Sequence, residues 1–371
     1  MTEHDAKAKA YMQRAIDLAR LASGWASPNP LVGAVIVKNG RIIGEGYHKK
    51  CGELHAERNA FSSLTEDAAG ADMYVTLEPC CHYGRTPPCT QAIIEHGIAR
   101  VFIGSRDPNP LVSGKGAAML REHGIIVTED FMKNECDELN PVFFKFITTG
   151  KPYVALKYAM TLDGKIASSA GISKWITNEK SRAHVQTLRG FYAGILAGIG
   201  TVLADDPRLN CRIEGAHQPL RIIADSSLRI SENCSIVKTA ADFPTMIACT
   251  EKADMTKAER LRKSGAAVEV LPIDGSGHVS MTALMEKLGE MKISGVLVEG
   301  GGEIHDALLR AGEADHIYAY IAPMLMGGTG AKTPVGGMGF ESPDAAVKLT
   351  NRKLSFFEDD ILLEFDCTKK K

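Results

Sequence analysis

At 371 residues the chain is too long for one ordinary core and suits two domains of about 150 residues each. With 44% hydrophobic and 24% charged residues, 36 Gly and 16 Pro, it excludes disorder, collagen-like repeats and coiled coil, and no apolar run approaches the roughly 18 residues of a membrane span. Its 43 basic and 45 acidic residues give a net charge of −2, without the basic surplus that phosphate neutralisation asks of a non-specific nucleic-acid binder.

The opening MTEHDAKAKAYMQRA has no apolar h-region and reads as an amphipathic helix, not a signal peptide, which implies a cytoplasmic protein. That helix is expected over Ala6–Ser23, with Ala8, Met12, Ala15, Ile16, Ala19 and Ala22 at helical spacing. Strands Leu31–Lys38 and Arg41–Gly46 follow, joined by the hairpin signal Asn39-Gly40. Then come a helix near Leu54–Ser63, a strand at Met73–Leu77, a helix at Thr90–Glu95 and a strand at Val101–Gly104. A helix near Gly116–His123 and a strand at Ile125–Thr128 close the first half. The alternation implies α/β architecture, a mostly parallel sheet with helices on both faces.

FFKFITTGKP ends a helix at Gly150 and Pro152, so a boundary falls near Thr148–Lys151, dividing the chain into domains 1–148 and 149–371. The second half alternates again, with strands near Tyr153–Tyr158, Ala193–Ala197, Leu220–Ala224, Thr245–Cys249, Val268–Leu271, Gly295–Glu299 and His316–Ile321. Helices are expected near Glu179–Gly190, Lys257–Gly265, Met281–Met291 and Ile304–Ala311, with a tail strand Ile361–Asp366 closing a sheet edge. No internal repeat is visible, so the halves are fused and not duplicated.

Of nine cysteines only Cys80, Cys81 and Cys89 cluster, which suggests metal and not disulfides. His55-Ala56-Glu57 precedes Pro79-Cys80-Cys81 and Cys89, and a catalytic zinc takes three nitrogen or sulfur ligands and one open position. His55, Cys80 and Cys89 supply that set, each expected where a loop enters a helix, and Glu57 is the proton carrier of an H-x-E…P-C…C zinc deaminase signature. Residues i and i+2 do not share a helix face, so His55 and Glu57 must wrap the metal from the first turn. Eight residues separate Cys80 from Cys89 where the common motif has two, and Cys81 is a rival ligand. The competing reading is a buried thiol cluster beside a surface histidine.

The run PCCHYGRTPPC, with NPLVGAVIV before it and RDPNPLVSGKG after it, resembles the bifunctional riboflavin-biosynthesis deaminase–reductase family over essentially the whole chain. The resemblance implies an N-terminal cytidine-deaminase-like α/β/α sandwich that deaminates 2,5-diamino-6-ribosylamino-4(3H)-pyrimidinone 5′-phosphate. It implies a C-terminal dihydrofolate-reductase-like α/β domain that reduces the ribosyl group with NADPH. By the same resemblance the zinc ligands are His55, Cys80 and Cys89, while Asn29, His48, His82, Asp107 and Asn109 line the pyrimidine and ribose. The long loop suits a phosphate, for which Arg85 and Thr86 offer a charge and a hydroxyl. It also implies a homo-oligomer formed through the reductase domains, with a small-molecule substrate and neither nucleic acid nor membrane as partner.

In the second half Val296–His305 runs from a strand through Gly300-Gly301-Gly302 into a helix, an arrangement suited either to a pyrophosphate or to tight packing. Carried over by position, Ala159, Trp175, Thr201, Asp205, Ser226, Gly301, Gly302, Glu303, Ile304, His305, Asp306 and Ala307 should contact NADPH. Ser173, Arg189, Leu209, Arg212 and Glu299 should contact substrate, with Lys165 a further candidate and both arginines directed at the phosphate. Glu299, Asp205 and Lys165 stand unranked as proton handlers, and Met324-Leu325-Met326 reads as core or subunit interface. Two rival functions share the metal site: a nucleic-acid-editing deaminase and a zinc-stabilised, non-catalytic sensor.

Overall fold

The computed structural model describes residues 3–23, 25–26, 28–83, 87–109 and 112–368. The chain divides into two compact units, Met1–Thr149 and Gly150–Lys371.

The first unit contains α1 (Glu3–Arg20), β1 (Gly33–Lys38), β2 (Arg41–Tyr47), α2 (Ala56–Ser62), β3 (Asp72–Leu77), α3 (Cys89–Glu95), β4 (Arg100–Ser105), α4 (Lys115–Glu122), β5 (Ile126–Thr128), α5 (Lys133–Asp137) and α6 (Pro141–Thr149). Its sheet order is β2-β1-β3-β4-β5. β1 pairs antiparallel with both β2 and β3, and only β3-β4 and β4-β5 are parallel, so this sheet is evenly mixed where the alternation had implied a mostly parallel one. The two-residue hairpin forces β2 antiparallel to β1.

Period-2 alternation buries both sheet faces. Val35, Val37 and Tyr74 pack with Met12, Ile16 and Ala19 of α1 on one side. Ala34, Ile36, Met73 and Val75 pack with Ala60, Ile93, Ala117 and Leu120 of α2, α3 and α4 on the other. Helix α2 lies directly on β2, since a Cβ at Gly46 would stand 2.4 Å from the Ala60 amide nitrogen. That close approach fixes where the start of α2, and with it His55, meets the end of the sheet.

The second unit contains β6 (Tyr153–Thr161), α7 (Glu179–Phe191), β7 (Gly194–Gly198), α8 (Ile199–Asp205), β8 (Leu220–Ala224), α9 (Ser235–Lys238), β9 (Thr245–Cys249), α10 (Met255–Lys263), β10 (Ala267–Val270), α11 (Met281–Glu290), β11 (Gly295–Val298), α12 (Gly302–Arg310), β12 (His316–Ala322), β13 (Leu349–Phe357) and β14 (Asp360–Cys367). The nine-stranded sheet runs β10-β9-β8-β7-β11-β6-β12-β14-β13. It is parallel from β10 through β12 and antiparallel in its last two pairings. The tail strand β14 therefore lies inside the sheet, and β13, which the sequence reading passed over, closes that edge. Its exposed, polar-rich TNRKLS segment hides the strand signal that burial gives the others.

Strands β7 and β11 read as nearly unbroken apolar runs because helices cover both their faces. Leu284 and Leu288 of α11 and Leu308 of α12 pack with Val154, Leu196, Ile222 and Val296 in one continuous core. The chain visits β6, then β7 to β10, and returns to insert β11 between β6 and β7. Such a switch in strand order leaves a crevice beyond the carboxyl ends of the strands, where ligands bind in open α/β sheets.

Candidate active sites

In the first unit, β3 and the starts of α2 and α3 bring His55, Cys80 and Cys89 together. Their ligand atoms all lie within 4.8 Å of one another. His55 is the N-cap of α2 with extended backbone, outside the helix proper, while Glu57 is the second residue inside it. The face problem is thus resolved by leaving His55 off the helical screw. Cys89 opens α3, as expected. Cys80 differs from expectation: it sits in the loop beyond β3 and precedes no helix directly, and its sulfur instead accepts the Cys89 amide N–H at 3.3 Å.

The Cys80 Sγ to His55 Nδ1 distance is 3.6 Å and that from Cys89 Sγ is 3.4 Å. Ligands at ordinary Zn–S and Zn–N lengths on a tetrahedron stand about 3.6 Å apart, so the donor set fits zinc in chemistry and spacing. Of the two thiols Cys80 ionises first, because Cys89 and His55 donate hydrogen bonds to it. Glu57 is 3% exposed, and burial pushes its carboxyl up.

Around this centre, Asn29 Nδ2 and His48 Nε2 are 3.0 Å apart, and the His48 ring stands edge-on to that of His55 with centroids 5.6 Å apart. His48 Nδ1 is anchored at the Leu54 carbonyl, which leaves neither histidine an ordinary surface residue. Asp107 is buried, and its carboxyl is pushed up to about 6, first by burial and further by the charges of Glu78 and Cys80; the Asn109 N–H and the nearby His82 oppose this. His82 is exposed on the loop after Cys81. Arg85 and Thr86 lie outside the described residues.

Sequence reading missed Glu78, one residue before the Pro-Cys pair. Its buried carboxylate accepts backbone N–H groups of Gly114 at 3.0 Å, Ala117 at 3.2 Å and Asp107 at 3.4 Å. It thereby caps α4 and fastens the Asp107–Asn109 turn to the strand that carries Cys80.

In the second unit a cleft of about 1630 Å³ opens at the carboxyl ends of β6, β7, β8 and β11. Every residue assigned to the reductase by resemblance lines it: Ala159, Lys165, Ser173, Trp175, Arg189, Thr201, Asp205, Leu209, Arg212, Ser226, Glu299 and the run Gly301–Ala307. Their chemistry is less uniform. His305 is 1% exposed, with its ring bonded to the Pro334 carbonyl, and the Asp306 carboxylate accepts the Met338 and Gly339 amides. Both polar groups are already engaged inside the protein. In the glycine turn the two readings coexist: a Cβ at Gly302 would stand 2.8 Å from the Thr333 carbonyl oxygen, whereas one at Gly301 would meet nothing closer than 3.5 Å. Packing demands Gly302, and Gly301 leaves backbone open at the start of α12.

Arg189 grips Glu299 through Nε at 2.5 Å and Nη2 at 2.9 Å, with Nη1 on the Asn210 carbonyl. Three of its five N–H donors are thereby engaged, and Nη1 and Nη2 each keep one more. Burial pushes the Glu299 carboxyl up, but the charge and hydrogen bonds of Arg189 outweigh this and hold it below the usual range. Asp205 accepts the Ser173 hydroxyl at 3.0 Å. Lys157, a charged residue inside an apolar strand and also missed, lines the same cleft, its ammonium 5.7 Å from the Tyr320 ring centroid. Burial lowers its pKa, with the nearby Glu299 opposing. Leu325 is 76% exposed and Met324 39%, so the Met324–Met326 stretch is not core.

By fold and donor set the chain joins a zinc deaminase to a reductase built on an open, mostly parallel sheet. Residues 5–105 match the cytidine and deoxycytidylate deaminase zinc-binding region, and residues 152–363 match the RibD C-terminal domain. The riboflavin biosynthesis protein RibD of Actinobacillus pleuropneumoniae is 52% identical over 355 residues, covering 96% of this chain and 94% of that protein. That of Bacillus amyloliquefaciens is 44% identical over 354 residues, covering 95% and 94%. Among solved structures, Acinetobacter baumannii RibD superposes with a TM-score of 0.86 at 36% identity, covering 98% of this chain and all of that one. The diaminohydroxyphosphoribosylaminopyrimidine deaminase/5-amino-6-(5-phosphoribosylamino)uracil reductase of Thermotoga maritima gives 0.84 at 37% identity, covering 99% and 100%.

The chain belongs to the RibD family of riboflavin-biosynthesis proteins, which unites a deaminase and a reductase in one polypeptide. The editing and sensor alternatives find no support in these relatives.

Proposed function

We propose that residues 1–148 deaminate 2,5-diamino-6-ribosylamino-4(3H)-pyrimidinone 5′-phosphate and that residues 149–371 then reduce its ribosyl group to ribityl with NADPH. The observation that carries the first step is the His55–Cys80–Cys89 triangle with Glu57 enclosed beside it. Zinc in that triangle supplies a Lewis acid that makes water nucleophilic at neutral pH. Glu57 takes one proton of the water on its carboxylate and gives it to the pyrimidine ring nitrogen, then carries the second, from the hydroxyl newly bonded to the ring carbon, to the amine that departs as ammonia. Asn29, His48, His82, Asp107 and Asn109 orient the base and ribose, and Arg85 and Thr86 receive the phosphate.

For the second step NADPH supplies the hydride. The open backbone at Gly301 and the start of α12 suits its pyrophosphate, with Ala159, Trp175, Thr201, Asp205 and Ser226 along its length. Arg212 and the remaining N–H groups of Arg189 take the substrate phosphate, while the rest of the Arg189 guanidinium holds Glu299 charged. Glu299 is thereby an acceptor toward the substrate's hydroxyls, and Lys157 is the cation closest in character to a proton donor. Lys165, Ser173 and Leu209 complete the wall.

We also infer association with a second copy through the reductase unit. Strand β13 ends the sheet and exposes Leu354 and Phe356, 54% and 65% accessible, on one side of a nine-residue edge that another β13 could extend. Sedimentation as a monomer would remove this inference. The nine cysteines form no disulfide among the described residues, which agrees with a reducing, cytoplasmic setting. No helix among the described residues is long and apolar enough to cross a membrane.

The direct test supplies the diaminopyrimidinone ribosyl-phosphate to the zinc-loaded chain. Ammonia should appear without NADPH, and NADPH should then be oxidised in equal amount. Ammonia release from single-stranded nucleic acid alone would overturn the reading.

A further inference from the structure

The far end of the reductase cleft lies beyond β8, whose carboxyl end is separated from the glycine turn after β11 by the single strand β7. Two strand spacings put these ends about 10 Å apart. Past β8 the chain turns sharply: buried Asp225 accepts the Arg229 and Ile230 amides, both at 2.8 Å, and Leu228 is tucked inside with φ of 54°. The turn leaves Ser227 and Arg229 exposed at the cleft wall. Ser226 Oγ accepts the Val279 amide at 3.0 Å and lies 3.4 Å from His278 Nδ1, which ties this turn to the loop on the opposite wall.

Among the described residues the Arg229 guanidinium makes no hydrogen bond or ion pair, whereas Arg189 is held by Glu299. Asp274, a carboxylate of the loop that carries His278, is occupied by the Ser276 amide, the Ser276 hydroxyl and the His278 amide. A site that prefers a free ribose 2′-hydroxyl offers it an open carboxylate; one that prefers a 2′-phosphate offers an arginine.

We propose that Arg229, with the Ser227 hydroxyl beside it and His278 flanking, clamps the 2′-phosphate on the adenosine ribose and so selects NADPH over NADH. The inference rests on the reductase reading above and adds the residues that set cofactor preference. A guanidinium can meet two phosphate oxygens at once, and charge-assisted bonds of this kind are the strong ones.

Calorimetric binding of 2′,5′-ADP and 5′-AMP to the full chain isolates the clamp from catalysis. Wild type should favour 2′,5′-ADP by at least about tenfold. Arg229→Ala should weaken 2′,5′-ADP roughly 10- to 100-fold while leaving 5′-AMP unchanged, with Arg229→Lys in between and Ser227→Ala losing a few-fold. Because Arg229 is exposed and unpaired, the variants should match wild type in thermal unfolding. Arg229→Ala that binds 2′,5′-ADP normally, or loses both nucleotides alike, overturns the clamp. If wild type binds NADPH and NADH equally, the clamp fails and the reductase reading stands; if it binds neither, both fall.

Discussion

The metal centre and the reductase cleft both sit where strands end, yet they are assembled very differently. His55 and Cys89, the outermost of the three candidate metal ligands, are 34 residues apart, and one strand with two helix starts delivers the whole set. The central contact of the cleft, Arg189 to Glu299, spans 110 residues and depends on β11 returning to lie beside β7. A local site can be written as a motif. A distributed one has to be folded before its residues acquire their roles.

The largest separation of the two sites should come from Glu57→Gln. Deaminase kcat should fall by about 10²- to 10⁴-fold while zinc stays at one per chain and NADPH oxidation on the deaminated substrate is unchanged. Parallel loss of both activities would mean the units are not independent.

Glu299→Gln should do the reverse. It leaves the buried Arg189 charge without its partner, so reductase activity should drop by roughly 100-fold and the second unit should lose about 3 kcal/mol in chemical denaturation. Because the folded Glu299 carboxyl titrates below its ordinary value, the stabilisation is complete above the usual glutamate range and lost as pH falls through the lowered value. The stability gap between wild type and variant should therefore narrow in acid; a gap that widened would refute the assignment.

A smaller effect is expected for Lys157→Met, which keeps the bulk and removes the cation. Reductase kcat/KM should fall about tenfold and its alkaline limb should shift, with deamination untouched. An unaltered pH profile would reduce Lys157 to a packing role.

The difference between the sites also explains what could be read in advance. His55, Glu57, Cys80 and Cys89 were identifiable because metal chemistry restricts both residue type and spacing. Glu78 was not, since a carboxylate that binds backbone amides leaves no partner side chain to complete a pattern. In the cleft the resemblance named residues that the fold gathers around one cavity, but it could not show that Arg189 pairs with Glu299 or that His305 and Asp306 turn inward. Likewise the hairpin Asn39-Gly40 was visible, while its consequence for the sheet, two antiparallel pairings out of four, required knowing that β3 joins β1.

By itself the amino-acid order determined two α/β halves, the candidate His–Cys–Cys ligand set and the glycine turn, because hydrophobic period, turn chemistry and ligand spacing are local properties. Tertiary structure decided which strand closes the sheet, which arginine pairs with Glu299 and which lysine lines the cleft. Those outcomes depend on burial and on partners more than a hundred residues away, and a side chain's charge and hydrogen bonds take their value only from what the fold places beside it.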